Sequence, residues 1–264
     1  IRICLVGSEM CIRDRLLLCS VAPGRDTGLT FREVDAEGTL VQTRTGTIAG
    51  MAFAHDFAFT PRWYVLGGNP LSIRPLQLAR MMLGTGTMLG SVRTDLSQPG
   101  AIVLVPRDAQ GETVRVALPE PAYVVHFVNA FERDGATVID ACVFSDFTFG
   151  EEFGYAGPTA PLDLSRPESR GTQKLYRITI PDGAAEATWQ QLVPHGVDFP
   201  RILPAHAGRP APYMVGATRA DTRYSDPFDS IIRVDLEQPG AQPVLWTAPE
   251  LSLIHISEPT RQIR

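Results

Sequence analysis

The segment YVVHFVNAFERDGATVIDACVF (residues 123–144) decides the fold. Two runs rich in valine, isoleucine and phenylalanine flank Asp134-Gly135, and such side chains favour strands. An Asp-Gly step between them is a strong signal for a two-residue hairpin turn, because both central residues must adopt positive φ. The segment is therefore expected to form two antiparallel strands, 123–131 and 136–144.

The same rhythm extends outward. LTFREVD (29–35), a turn at Glu37-Gly38 and TLVQTRTG form one hairpin; GAIVLVPRD (100–108), a turn around Gln110-Gly111 and ETVRVAL form another. QKLYRITIP (173–181), Asp182-Gly183 and EATWQQL follow, then DSIIRVDLE (229–237), Pro239-Gly240 and QPVLW. FREVDAEG, LYRITIPDG and IIRVDLEQPG share a theme of an apolar strand with an arginine and then a turn. Recurrent hairpins at such intervals are how β-propeller blades look in sequence. A β-sandwich also yields strand after strand, so the pattern predicts an all-β chain and leaves both architectures open. One stretch differs. Residues 70–90 carry helical potential over LQLARMML (76–83), which reads either as a loop helix packed on the core or as an exposed apolar patch that meets a membrane or greasy substrate.

Composition narrows the function. The 264 residues are 44% hydrophobic and 20% charged, as in ordinary globular proteins, and a net charge of −5 argues against nucleic acid as a partner. No apolar run approaches the roughly 20 residues of a membrane-spanning helix. The cysteines show no C-x-x-C pairing, and Cys142 within its apolar strand reads as a buried thiol. A reducing, cytoplasmic location is expected. Residues 1–15 (IRICLVGSEMCIRDR) and 252–264 (SLIHISEPTRQIR) lack the strand rhythm and resemble translated sequencing adaptors. They are set aside together with Cys4, Cys11 and His255, leaving 16–251 as the expected natural segment.

Two histidines interrupt apolar strands: His55 in MAFAHDFAFT and His126 in YVVHFVNAF. A buried ring nitrogen without a partner costs about 1–3 kcal/mol, so each needs a hydrogen bond or a metal. Spacing alone leaves these alternatives open. Asp56 should point to the strand face opposite His55. His195 and His206 sit among proline and glycine and read as loop residues, and Glu132 before its turn reads as structural.

The flanking residues go further. HDFAFT (55–60), PRD (106–108), HFVNAFE (126–132) with DAC (140–142), and DFPRI (198–202) occur in the order found in the carotenoid cleavage oxygenase family, which the chain resembles over essentially all of residues 16–250. FGYAGPTAPLD (153–163) and RGTQKLYRI (170–178) add to the likeness. The resemblance implies a seven-bladed β-propeller, about half of whose blades are present, with Fe(2+) on the axis held by four histidines. His55 and His126 would be the second and third of these; the other two would lie outside the chain. Asp198 stands where the family has a glutamate behind a ligand histidine. The implied reaction cleaves a conjugated C=C bond of a carotenoid or apocarotenoid with O2, giving two carbonyl products. Phe53, Phe57, Phe59, Phe127 and Phe149 read individually as core residues and together as candidates for an apolar tunnel. Leu76, Leu78, Met81, Met82 and Leu83 are candidates for a patch contacting substrate or a membrane surface. Competing readings are a propeller hydrolase or lactonase around calcium, which needs clustered Asp, Asn and Glu, and a propeller scaffold without catalysis. Convergence of the His55 and His126 rings separates iron from these. An incomplete propeller exposes sheet edges, so the isolated polypeptide is expected to be poorly soluble and inactive.

Overall fold

The computed structural model describes residues 10–12, 15–95, 97–108, 111–145, 173–222 and 228–247. Phe149, the 153–163 motif and His255 lie outside the described residues.

Four antiparallel four-stranded sheets follow one another along the chain. The first contains β1 (Met10–Ile12), β2 (Arg15–Ala22), β3 (Thr27–Asp35) and β4 (Leu40–Ile48) in chain order. The third contains β12 (Tyr123–Arg133), β13 (Ala136–Phe144), β14 (Gln173–Pro181) and β15 (Thr188–Gln191). The fourth contains β16 (Val197–Arg201), β17 (Tyr213–Thr218), β18 (Ser230–Asp235) and β19 (Val244–Thr247). All five hairpins expected from the turn residues are present as paired strands: β3–β4, β12–β13, β14–β15, β18–β19 and, in the second sheet, β10 (Ala101–Pro106) with β11 (Val114–Ala117).

The second sheet is interrupted. Its order is β11, β10, β7 (Trp63–Gly67), β6 (Phe57–Phe59). Between β7 and β10 the chain leaves to build β8 (Asn69–Ile73), α1 (Pro75–Met82), α2 (Met88–Ser91) and β9 (Val92–Thr94). With β5 (Ala52–Phe53), β8 and β9 form a small three-stranded sheet. The helical reading of LQLARMML is realised in α1, which opens with Pro75 at its N-terminus, where the missing N–H costs nothing.

The core explains the uninterrupted apolar runs. Residues 137–144 of β13 are all buried. Ile139, Ala141 and Val143 pack with Val65, Ile102 and Leu104 of the second sheet, while Cys142 joins Met214 and Ile232 of the fourth. Alternate side chains enter different cores, so both faces of the third sheet are covered and no polar alternation survives. A separate cluster, with Phe31 and Leu29 against Phe57, Tyr64 and Val103, joins the first two sheets. Three successive inter-sheet cores exclude a two-sheet sandwich, which has one.

Polar anchors cross these interfaces. Glu33 on β3 is fully buried; its Oε1 accepts from Tyr64 Oη at 2.7 Å and from Arg107 Nη2 at 2.6 Å, and its Oε2 from Arg15 Nη1 at 3.0 Å. Burial alone would raise the Glu33 pKa, but the hydrogen bonds from Tyr64, Arg107 and Arg15 outweigh it and hold the carboxyl below its ordinary value. Glu132 accepts from Thr60 Oγ1 at 2.8 Å and pairs with Arg62 at 3.0 Å, tying the far end of β12 to the β6–β7 turn. Asp140 and Arg177, opposite each other on β13 and β14, form a two-point ion pair at 2.8 Å on each arm.

Candidate functional site

His55 precedes β6, His126 lies on β12 and Asp198 on β16: the first strands of three successive sheets. β12 packs against β6 on one side and β16 on the other, which brings the three residues together. The His55 and His126 rings meet edge to face with centres 5.2 Å apart and planes inclined by 69°. Asp198 Oδ1 lies 2.6 Å from His126 Nδ1. A carboxylate only accepts, so the hydrogen sits on Nδ1 and the Nε2 lone pair is left for another partner.

Backbone irregularity aims these groups. The β12–β13 ladder shifts register between Val124 and His126 and again between Phe127 and Asn129. Such bulges bend a strand and redirect a side chain. The β16–β17 ladder shifts between Asp198 and Arg201, and Phe199 there takes φ 49°. A phenylalanine in this region is strained by about 1–3 kcal/mol. The conformation turns its N–H onto Asp198 Oδ1 at 2.8 Å, so one carboxylate oxygen serves both the imidazole and its own turn.

The two histidines differ in electrostatics. His55 lies exposed in the loop between β5 and β6 rather than buried within an apolar strand; partial desolvation by the groups around it lowers its pKa, and the positive character of His126 adds to that. For His126, burial also acts downward, but the hydrogen bond and charge of Asp198 prevail and the pKa is raised. Phenylalanines bracket the pair: Phe53 stacks on His55 with centres 5.6 Å apart, and Phe199, largely exposed, lies 5.2 Å from His126.

Two imidazoles sharing one ion at about 2.1 Å have ring centres roughly 4.6–5.3 Å apart for ligand angles of about 90–109°. The observed separation, with His55 ring nitrogens unpartnered among the described residues and His126 Nε2 open, suits shared ligation of a transition metal. Among the described residues no group of three or more His, Cys, Asp or Glu side chains is arranged to hold a metal ion.

The other expected positions fall elsewhere. Phe57, Phe59 and Phe127 are core residues, at most 4% exposed, and Phe57 also lines a small cavity shared with His55 and Asp56. The reason for their burial is packing: each side chain enters an inter-sheet cluster. Leu76, Met82 and Leu83 project into solvent at 73–79% exposure, while Leu78 and Met81 are half-buried. His195 sits buried in a loop, and His206 in a 3-10 turn donates from Nδ1 to the Pro210 carbonyl at 3.0 Å. Cys142 is a fully buried free thiol.

Two residues escaped the sequence reading. Asp56 was assigned only a direction, and Asn69 lies in GGNP, where a turn reading hides it. Asn69 is fully buried, donates to the Phe53 and Val124 carbonyls at 2.8 and 2.7 Å and accepts from Val124 N–H at 2.8 Å. No local signal distinguishes such an asparagine from a turn residue.

Successive antiparallel sheets with a histidine pair and a carboxylate at their first strands define a sheet-rich protein similar to the apocarotenoid oxygenases. The crystal structure of cobalt-substituted Synechocystis ACO matches with a TM-score of 0.77 at 27% identity, covering 88% of this chain and 46% of that one. The chain belongs to the family described as RPE65, retinal pigment epithelial membrane protein, whose model matches residues 11–260. Apocarotenoid-15,15'-oxygenase of Synechocystis sp. is 30% identical over 218 residues, 83% of this chain and 42% of that protein. Carotenoid cleavage dioxygenase 7 of Oryza sativa subsp. japonica is 28% identical over 241 residues, 81% of this chain and 40% of that protein. The chain thus spans less than half the length of these relatives.

Proposed function

We propose that the whole protein of which this chain forms part acts as an iron(II) dioxygenase that splits a conjugated C=C bond of a carotenoid or apocarotenoid into two carbonyl products. In this reading the four sheets are blades of a seven-bladed propeller, and His55 and His126 are two of four histidine ligands. The observation that carries it is the paired rings at 5.2 Å with His126 Nδ1 engaged by Asp198. The names of the relatives, an apocarotenoid oxygenase and a carotenoid cleavage dioxygenase, support the substrate class.

Bound between these rings, iron(II) would supply the activation of O2. The chain's own residues supply the rest. Asp198 holds the Nδ1 proton of His126 and so presents Nε2 as a lone-pair donor. Asp198 is one methylene shorter than the family's glutamate; the β16 irregularity and the Phe199 conformation bring it within reach. Phe53 and Phe199 offer apolar ring faces beside the histidines, suited to a polyene. The exposed Leu76, Met82 and Leu83 would rest on a membrane surface from the cytoplasmic side, where such substrates dissolve. Among the described residues no helix is long and apolar enough to cross a membrane.

The test is cleavage of an apocarotenal by the protein carrying this sequence, supplied with iron(II) and O2, with products identified by mass spectrometry. His55→Ala and His126→Ala are each expected to lower turnover by about 100-fold or more. Undiminished cleavage by both variants overturns the reading.

A further inference from the structure

His55 lies in the loop between β5 and β6 and His126 on β12 of another sheet, so no strand ladder sets their separation. Something else must, because ligands of one ion have to be held within about 0.5 Å of the productive geometry. Side-chain to backbone hydrogen bonds cross between the two segments on both sides of both histidines. One residue beyond His55, Asp56 accepts the Phe57 N–H on Oδ1 at 2.8 Å and the Phe127 N–H on Oδ2 at 2.9 Å. Phe127 directly follows His126. Two residues before each histidine, Asn69 joins the Phe53 carbonyl to both the N–H and the carbonyl of Val124, at 2.7–2.8 Å.

The bulges of β12 flank the residues the clamp engages, Val124 and Phe127, where the ladder to β13 breaks step. Gly67 permits the close approach: a Cβ there would lie 2.6 Å from the Val124 carbonyl oxygen and 2.8 Å from Asn69 Nδ2. A longer side chain at position 67 would push β12 away from the Asn69 bridge.

We propose that Asp56 and Asn69 are positioning residues, a two-point backbone clamp that sets the spacing of the His55–His126 pair and thereby its affinity for a divalent metal. This rests on reading the two histidines as shared metal ligands. Neither residue binds the metal. Asp56→Asn keeps size but leaves one acceptor oxygen for two N–H donors. Asn69→Asp turns both donors into acceptors facing carbonyls. Glu132→Gln serves as comparison, because Glu132 anchors the same β12 to the β6–β7 turn at its far end.

The experiment titrates the protein carrying this sequence with Co(II), following the visible absorption of the ion, and measures amide exchange and thermal unfolding in parallel. Asp56→Asn and Asn69→Asp are each expected to weaken Co(II) binding about 10-fold or more and to speed exchange at Phe127 and Val124 respectively. Glu132→Gln is expected to lower the unfolding temperature while leaving Co(II) affinity and spectrum unchanged. Unchanged Co(II) affinity in both clamp variants, with binding lost in His55→Ala and His126→Ala, overturns the clamp alone. A loss in Glu132→Gln equal to that in the clamp variants also overturns it, since general destabilisation then accounts for the effect. Co(II) binding that survives His55→Ala and His126→Ala overturns the metal reading itself, and the clamp with it. If one clamp variant fails to fold, the other and its amide exchange decide.

Discussion

The β12–β13 hairpin and the α1 excursion are built on opposite terms. In the hairpin nearly every side chain is buried, and its buried charge, Asp140, is paired on both oxygens with Arg177. In α1 no residue is buried, and Leu76, Met82 and the following Leu83 face solvent. The hairpin spends its apolar residues on the fold; the excursion does not. Apolar side chains clustered in solvent mark a surface that meets something else, whereas paired charges in a core are held there by the cost of separating them.

The hairpin side of this contrast breaks most severely at Arg177. Arg177→Ala leaves Asp140 buried without its cation and is expected to cost about 3–5 kcal/mol, read from denaturant unfolding. An acid titration sharpens the same side at a second buried carboxylate. The Glu33 pKa is lowered in the folded protein by its hydrogen bonds. Its contribution is therefore present above the unfolded-state pKa and is lost as pH falls through the folded one. Denaturation midpoints measured from about pH 7 to about pH 3 should fall less steeply in Glu33→Gln than in the parent. The excursion gives the smallest stability effect: Leu76→Ser, Met82→Ser and Leu83→Ser should each change stability by less than about 0.5 kcal/mol. The triple variant should nevertheless sediment less with phospholipid vesicles. A large loss of stability would erase the contrast.

What could be read in the sequence follows the range of the forces involved. Hairpins are local, and the Asp134-Gly135 turn shows why: both residues take positive φ, 51° and 74°, as their side chains allow. The short strands β5, β6 and β8 carry two to five residues each and are fixed by neighbours distant in sequence, so they left no periodic trace. His55, His126 and Asp198 were marked by their flanking motifs, and the structure brings them together. For the phenylalanines of those motifs the sequence left two readings open, because an apolar residue looks the same whether it lines a tunnel or fills a core; Phe57, Phe59 and Phe127 take the core. Asn69 was missed for a related reason: its partners lie 16 and 55 residues away.

The interruption of the second sheet has a consequence for how such a molecule can change. β7 and β10 remain paired neighbours, Gly67 opposite Ile102, although the whole excursion lies between them. Its base is fastened where it departs, by the Gly68 N–H on the Ala101 carbonyl at 2.7 Å. A detour whose two ends meet is a cassette: its length and chemistry can be exchanged by recombination or design while the sheet beneath keeps its register. Asn69, just beyond that base, belongs to the scaffold and must be retained in any such exchange.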